Sequence, residues 1–556
     1  MCSMNKRFIY VVLVLILAGC NSGQGQDDAG ADSGDAGDAA MDGSADADSD
    51  GDADADGDSD SDADADADAD AGDAAHPSDA GEDAYCPYDA AARVGWVKTW
   101  GGPGSDEGTA IAVGPDGTIV VAGTFHDTVD FDPGPGEDLH TATGDWSAFI
   151  SKFTEDGEHI WTRTMGGDFW AARLTVGGVA VLSDGSVVMG GDSLWVIDFD
   201  PGPDEENRGD AGSQNLYVVN LTDQGDFNWV YTAESVSNIG YNLTAGQDDS
   251  IYLLAWFQGE MDFDPGPGEE VRTASNSDVA VVKLNPDGSL AWVRNLGGAY
   301  DDQGRGIAVG DDGSVLVTGL YESTLYFERG QAGQTALATS KGEGDIFVVK
   351  LDPDGNPAWV RTIGGLSIDI GESVCVDEEG SVYVGGMFGD VVDFDPTDAG
   401  VDEHTNPPDS VFVTKYTADG GYEWTRTFGS TRSVFFKQVS SISNGIVFAG
   451  SFYGEIDMDP GPGVVSRRAE GQDVVDIFEI KFDREGKYIW SVNTGDPGFV
   501  SLSKVVEGKD GNLYSTGWFF NTADFDPTSC KDYRTSMGTT SRDVFLWGIT
   551  GDGSYY

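Results

Sequence analysis

The sequence predicts an all-β chain, a single seven-bladed β-propeller with four antiparallel strands per blade and a ring closed by the N-terminal strand. Three observations predict it. Seven tryptophans, Trp96, Trp161, Trp229, Trp292, Trp359, Trp424 and Trp490, recur 63 to 68 residues apart, a period that marks stacked repeats sharing one core. Each unit holds two hairpins of alternating β-branched and aromatic residues joined by Asp-Gly-type turns, and no segment has an amphipathic helical period. The last unit stops at Gly553-Ser554-Tyr555-Tyr556, where its outer strand is due.

The fifth unit shows the pattern. Glu372 to Asp377 faces Gly380 to Gly385 across a short acidic turn, and Ser410 to Tyr416 faces Tyr422 to Arg426 across Ala418-Asp419-Gly420. Equivalent inner pairs recur at Ile111 to Gly123, Val179 to Gly191, Ile307 to Gly319 and Val505 to Gly517. A four-stranded sheet buries its faces only against neighbours, and a ring of blades protects most edges. If the inner strand follows the glycine-rich step, each tryptophan strand is the outer edge of the preceding blade. Trp96 to Trp100 then completes the last blade beside Val544 to Thr550. The recurrent tryptophans are read as packing residues.

The first twenty residues carry an address. Lys6 and Arg7 precede an apolar run, Phe8 to Leu17. Ten apolar residues fall short of the roughly 20 that a membrane span needs, so the segment reads as an export signal. Its end, Leu17-Ala18-Gly19-Cys20, resembles the lipobox of bacterial lipoproteins, which implies that Cys20 is acylated after cleavage. Asn21, where an Asp would favour inner-membrane retention, points to lipid anchoring in the outer membrane, facing the periplasm or the cell surface. Residues 21–84 form a tether predicted to be disordered, because residues 27–84 hold 23 acidic side chains, no Lys or Arg and little apolar surface. Fully extended at about 3.3 Å per residue, that stretch would reach ~190 Å. The propeller domain is assigned to residues 85–556.

The chain has 98 acidic and 30 basic residues, a net charge of −68. Outside signal and tether, 75 acidic residues against 28 basic ones still leave about −47. This sign disfavours nucleic acid and anionic lipid surfaces as partners and leaves protein, glycan or cation ligands.

The run Gly101-Gly102-Pro103-Gly104-Ser105-Asp106-Glu107-Gly108, followed by Ile111-Ala112-Val113 and Val120-Val121-Ala122-Gly123, resembles the SBBP repeat of bacterial seven-bladed β-propeller proteins. Gly297-Gly298 to Asp302 and Gly364-Gly365 to Asp369 repeat it, whereas units two, three, six and seven depart from it. The resemblance covers nearly everything after the tether. It implies a propeller and no catalytic residue.

One chemical motif recurs between the hairpins. Asp130 and Asp132, Asp198 and Asp200, Asp262 and Asp264, Asp393 and Asp395, Asp457 and Asp459, and Asp524 and Asp526 flank a Phe or Met and precede Pro. Carboxylates at i and i+2 of an extended chain point to one side and can begin a calcium site if further oxygens complete it. The competing reading is a turn, with Asp capping its own backbone and Pro setting φ. Thr397 and Thr528 replace the following glycine while both aspartates persist. Unit four reads Tyr326-Phe327-Glu328-Arg329-Gly330, where Arg329 is either a local cation or drift in a loop. The loops entering and leaving each inner hairpin should share one acid-ringed face.

Cys86 lies before the closing strand and Cys530 in the last unit, so closure brings their neighbourhoods together; a disulfide or two free thiols are both compatible with an exported chain. Cys375 falls in a predicted inner strand. His126, His140, His159 and His404 read as occupying non-equivalent places in their units, and no Ser/His/Asp order, phosphate loop or Cys/His metal spacing stands out. Two function classes follow: a lipid-anchored binding or scaffold module, stabilised by calcium if the aspartates bind it, or a propeller enzyme, a lyase or hydrolase acting on polysaccharide. With no catalytic constellation recognised, the first is preferred.

Overall fold

The computed structural model describes residues 95–235, 240–331, 333–397, 400–405, 410–469, 474–528, 530–538 and 541–555. The export signal, the tether and Cys86 lie outside these residues. Every regular element among the described residues is a β-strand. Seven sheets each carry a four-stranded antiparallel core. In blade 1 the order from inner to outer is Glu107–Val113, Ile119–Phe125, Ser147–Phe153 and His159–Met165. Blades 2 to 6 repeat it, with inner strands at Gly178–Val181, Gly240–Ala245, Gln303–Val309, Ile370–Val376 and Ser433–Ile442.

Blade 7 is built from both ends of the chain. Phe499–Glu507, Leu513–Phe520 and Asp543–Ile549 supply three strands, and Trp96–Trp100 supplies the fourth, pairing Trp96 with Gly548 and Trp100 with Val544. The ring is therefore closed by backbone hydrogen bonds where the sequence places the closure. Gly95 N–H donates to the Tyr555 carbonyl at 3.0 Å, so the two ends meet in one ladder.

Seven hydrophobic clusters lie mostly between blades. One joins Trp100, Val544 and Leu546 of blade 7 to Ile111, Val121, Phe125 and Phe149 of blade 1. Each sheet thus buries its faces against its neighbours, as alternating strands require.

The tryptophan strand adds a clamp at the rim. Trp161 Nε1 donates to the Asp223 carbonyl at 3.2 Å, on the outer turn of the next blade, and Arg163, two residues on, donates through Nε to the Gly225 carbonyl at 3.0 Å. The Arg163 guanidinium also lies 5.3 Å from the Trp161 ring centroid. Trp292 with Arg294, Trp359 with Arg361 and Trp424 with Arg426 repeat the arrangement on the turns ending at Gly355, Gly420 and Gly486. Those glycines have φ of +81°, +81° and +73°, and a Cβ on Gly420 or Gly486 would stand 2.9 Å from the tryptophan above it. A turn Gly is thus required twice, by its own φ and by the ring pressed on it.

Because strands alternate in direction, the loops between blades and the connections between second and third strands emerge on one face. The tight turns emerge on the other.

Trp100 is 4 % exposed and packs on Phe153 and Phe149 with centroids 5.3 and 6.4 Å away. Trp100→Ala is expected to destabilise the ring by about 3–5 kcal/mol, read as a lower urea midpoint; an unchanged midpoint would mean that the closing strand does not hold the ring.

Candidate binding face and central channel

The glycine-glycine-x3-Asp-x-Gly loop has a structural explanation in the three blades that carry it. Asp302 Oδ2 accepts the Gly298 N–H at 2.6 Å, and Oδ1 accepts the Glu322 N–H at 3.2 Å, tying the interblade loop to the end of the second strand. Asp106 and Asp369 make the same pair of bonds. In blade 4 a Cβ on Gly297 would meet the Asp278 carboxyl at 2.3 Å, and one on Gly298 the Thr324 carbonyl at 2.4 Å. The motif is a staple, and its glycines are close-approach positions.

These staples bury carboxyls. Desolvation raises Asp302 to about 8, despite its two backbone donors, and Asp278 beside it to about 7. Asp106 and Asp369 rise to about 7, also chiefly by burial.

The Asp-Phe-Asp-Pro segments repeat a single hydrogen-bond scheme. In blade 1, Asp130 Oδ1 accepts the N–H groups of Asp132 at 3.1 Å and Asp138 at 2.8 Å, while Asp132 Oδ1 accepts that of Gly134 at 2.7 Å. In the other five loops Asp198, Asp262, Asp393, Asp457 and Asp524 each accept the same two N–H groups through Oδ1. Their partners Asp200, Asp264, Asp395, Asp459 and Asp526 each accept the N–H two residues on, from Gly202, Gly266, Thr397, Gly461 and Thr528. The first carboxylate closes the loop and the second caps its tip. In blade 1 the loop then delivers Phe131, fully buried, into the seam between blades 7 and 1. It meets Phe125 edge-on at 5.2 Å, as Phe263 meets Phe257, Phe394 meets Phe388 and Phe525 meets Phe519.

Among the described residues no group of three or more His, Cys, Asp or Glu side chains converges as a metal site would require, at Asp130 and Asp132, Asp198 and Asp200, Asp262 and Asp264, Asp393 and Asp395, Asp457 and Asp459, or Asp524 and Asp526. One oxygen of every one of these carboxylates is turned onto its own loop's backbone donors. Two of the pairs also differ from the rest in their surroundings, since Asp524 and Asp526 are buried while Asp457 is exposed. In blade 4, Arg329 reaches the buried Asp278, with Nη1 3.8 Å from Oδ1. In blade 7, Lys531 Nζ stands 2.9 Å from Asp524 Oδ2.

The histidines correct one expectation. His140 and His404 are equivalent: each pairs across its loop hairpin, packs edge-on against the motif phenylalanine and bonds through Nδ1 to a threonine of the outer strand, Thr164 or Thr427, at 3.1 Å. Each Nε2 faces an aspartate, Asp138 at 3.2 Å or Asp402 at 3.3 Å. One extra residue in the blade 5 loop hides the match in sequence. The His404 copy lines an open rim groove of about 640 Å³ with Asp395, Tyr422, Trp424 and Arg426. Asp264, Glu270, Trp292 and Arg294 line a similar groove of about 660 Å³.

Cys530 is disulfide-bonded. Cys375 is a free thiol in its inner strand, and burial pushes its pKa up. Cys86 and Cys20 lie outside the described residues.

Apolar exposure is confined. Of the thirteen exposed large hydrophobic side chains among the described residues, all but Ile160 and Ile489 sit on loops of the face that carries the staples. The strongest concentration breaks the repeat symmetry in blade 2, where the interblade loop has lost its staple aspartate to Ala171. Trp170 is 78 % and Phe169 40 % exposed, and Phe169 packs on Trp170 at 5.6 Å and on Trp195 at 4.1 Å. Trp195 has φ of +73° at a position that the other blades fill with Asp127, Gly259, Ser323, Asp390, Gly454 and Asn521, all left-handed. A bulky side chain there is strained, and the sequence alone could not show that its register falls on the left-handed position.

No family model matches the chain. It is 25 % identical over 251 residues to an uncharacterised WD repeat-containing protein of Acanthamoeba polyphaga mimivirus, covering 41 % of this chain and 18 % of that protein. It is 30 % identical over 156 residues to the regulatory protein FlaEY of Caulobacter vibrioides, covering 27 % of this chain and 16 % of FlaEY. The chain thus spans less than a fifth of the length of these curated relatives. Among solved structures, a protein of unknown function from Bacteroides caccae aligns with a TM-score of 0.26 and 11 % identity over 58 % of this chain and 81 % of that one. A Synechocystis apocarotenoid oxygenase mutant aligns at 0.28 and 11 %, over 70 % and 91 %. Scores this low carry no functional argument.

The buried carboxyls set a pH dependence. Their folded pKa values lie above the unfolded 3.8, so their contribution is fully present below about pH 4 and is lost as pH rises toward 8. The melting temperature is expected to fall by several degrees, at roughly 2–4 °C per kcal/mol, between pH 5 and pH 8.5. Asp302→Asn should start lower at pH 5, having lost one acceptor, and show a shallower slope; an equal slope would remove Asp302 from the account.

Proposed function

We propose that the chain is a lipid-anchored binding module of the bacterial cell envelope, held through Cys20 at the outer membrane on its acidic tether, with the stapled face of the propeller presented to a protein or glycan. The observation that carries this reading is the aromatic cluster on that face, in which Phe169 and Trp170 are exposed and the half-buried Trp195, packed on Phe169, is held on a strained backbone. Exposed aromatic rings offer apolar area with little entropy to lose, which suits a sugar ring or an apolar side chain better than an ion. The surrounding negative charge favours a neutral or basic ligand.

The enzyme reading, a lyase or hydrolase on polysaccharide, would need a site that departs from the repeat. The two Asp–His–Thr chains are instead copies of each other in blades 1 and 5, and each holds its imidazole against a motif phenylalanine.

Trp195→Asn is expected to raise stability by about 1 kcal/mol, by relieving the left-handed strain, and to weaken ligand capture. Trp170→Ala should weaken capture with stability unchanged. Both are read on an array of neutral and acidic glycans and against envelope proteins, with thermal melting alongside; undiminished capture by both variants removes the cluster from the binding surface. Labelling with a palmitate analogue, abolished by Cys20→Ser, tests the anchor.

Calcium belongs to the same proposal, as a ligand of the carboxylate oxygens that the loop bonds leave over. A rise in melting temperature in millimolar calcium, reversed by chelator and lost stepwise as Asp132, Asp200, Asp264, Asp395, Asp459 and Asp526 are changed to Asn, would support it. An unchanged melting curve assigns all twelve aspartates to loop closure.

A further inference from the structure

The seven inner strands wall a central cavity of about 190 Å³. Near the start of the inner strands in blades 4 to 7, a β-bulge leaves Arg305, Glu372, Lys437 and Ser503 out of the ladder. The residue after each bulge lines the cavity: Gly306, Ser373, Gln438 and Lys504. Two of these spend their polar atoms on the neighbouring inner strand. Ser373 Oγ donates to the Val439 carbonyl at 3.4 Å, and Gln438 Oε1 accepts the Val505 N–H at 2.8 Å.

Lys504 occupies the same place in blade 7 and has no such bond. Among the described residues neither Lys504 nor Lys437 makes a hydrogen bond or an ion pair. Lys437, next in sequence to the lining residue Gln438, is exposed and lies within electrostatic range of Lys504. The charges facing the two ammoniums are few. Glu372 lies within electrostatic range of both lysines and Glu107 of Lys437, but Glu107 is already paired with Arg542. Arg305, at the bulge level of blade 4, leaves its Nε buried without an acceptor. Burial, and then the neighbouring Lys437, lowers Lys504 to about 8.

Two like charges in a narrow channel with no partner oppose folding, and apolar residues of similar volume would be tolerated better. In a chain of net charge −68, Lys504 sits where blades 4, 5 and 6 place Gly306, Ser373 and Gln438, and Lys437 sits at the bulge position that Arg305, Glu372 and Ser503 fill in the other blades. Structural need does not account for them.

We propose that the channel binds a small oxyanion, a carboxylate or phosphate ester of at most about monosaccharide size given its volume, between the ammoniums of Lys437 and Lys504, with the Gln438 amide nitrogen as a third donor. This rests on the binding-module reading only in giving the propeller a ligand. The Trp170 and Trp195 variants leave the channel untouched, so the two readings fail separately.

The test is titration calorimetry and thermal shift on the full chain at low ionic strength, with glucuronate and inorganic phosphate as probes and glucose as the neutral control, up to about 10 mM. The expected result is saturable single-site binding of one or both anions, none of glucose, and at least about tenfold weaker binding, or 1.4 kcal/mol, in Lys437→Met and Lys504→Met. The probe-free variants should melt at or above the unsubstituted chain. Lys504→Arg, which keeps the charge, should retain binding even if a Met variant misfolds. Glucuronate alone or phosphate alone identifies the oxyanion. No saturable binding of either anion overturns the proposal, as does equal binding by the Met variants or an equal loss in the surface variant Lys509→Gln.

Discussion

The structure depends on one requirement: a four-stranded sheet in this chain has no stable surface of its own, so every blade must be held by the next. The Trp-x-Arg clamp shows how local the solution is. An outer-strand tryptophan lies on the next blade's turn glycine, its indole N–H takes a turn carbonyl, and the arginine two residues on takes another while stacking on the same ring. The contact joins blades 60 or so residues apart in sequence using groups that lie two residues apart on one strand. On the opposite face the work is divided between the buried staple aspartates and the Asp-x-Asp loops, which drive a Phe, or Met458 in blade 6, into the seams of six blades. Clamp, staple and plug act at different heights of the same interface, so losing one leaves the others to keep the blades in register.

Much of this was legible in sequence because it repeats. The period of the tryptophans, the hairpin turns and the missing outer strand of the last unit were sufficient for the blade order and for the pairing of Trp96–Trp100 with the C-terminal strand. The partners were not legible. Arg163, Arg294, Arg361 and Arg426 recur two residues after a tryptophan, yet nothing along the chain says that their acceptor is a glycine carbonyl on the next blade. The i, i+2 aspartates were visible as a motif, but not the backbone donors that Asp200, Asp459 and Asp526 face two residues further on. The equivalence of His140 and His404 was concealed by one inserted residue, because loop alignment by eye counts residues whereas the hairpin counts pairings. The bulges beside which Gln438 and Lys504 line the channel leave no mark in composition at all.

Electrostatics sort the acidic residues into three populations. Solvated side chains supply most of the net charge and keep the surface repulsive to anions. Loop aspartates spend an oxygen on backbone donors. Staple aspartates accept comparable bonds but are buried deeply enough that desolvation wins, and their pKa values rise to neutrality. Residue type alone therefore says little about charge state here. Asp302 accepts two backbone N–H groups, and burial raises its pKa in spite of them.

Repetition also tells where to look for function. A residue that recurs from blade to blade is explained by what the blades share, and this is how the tryptophans of all seven units and the aspartate loops of six are explained. Trp195 cannot be explained so, because six other blades fill its left-handed position with residues that tolerate it and one does not. Lys504 cannot either, because Ser373 and Gln438 at the same place bond to the neighbouring strand, whereas among the described residues Lys504 makes no hydrogen bond or ion pair. Both stand where the fold alone would favour another residue: a smaller one in the first case, an uncharged one in the second. A strained ring on the exposed face and an unpaired cation pair in the channel are independent departures from one symmetry, which is the pattern expected when a scaffold is kept by its repeats and a ligand is held by the exceptions to them.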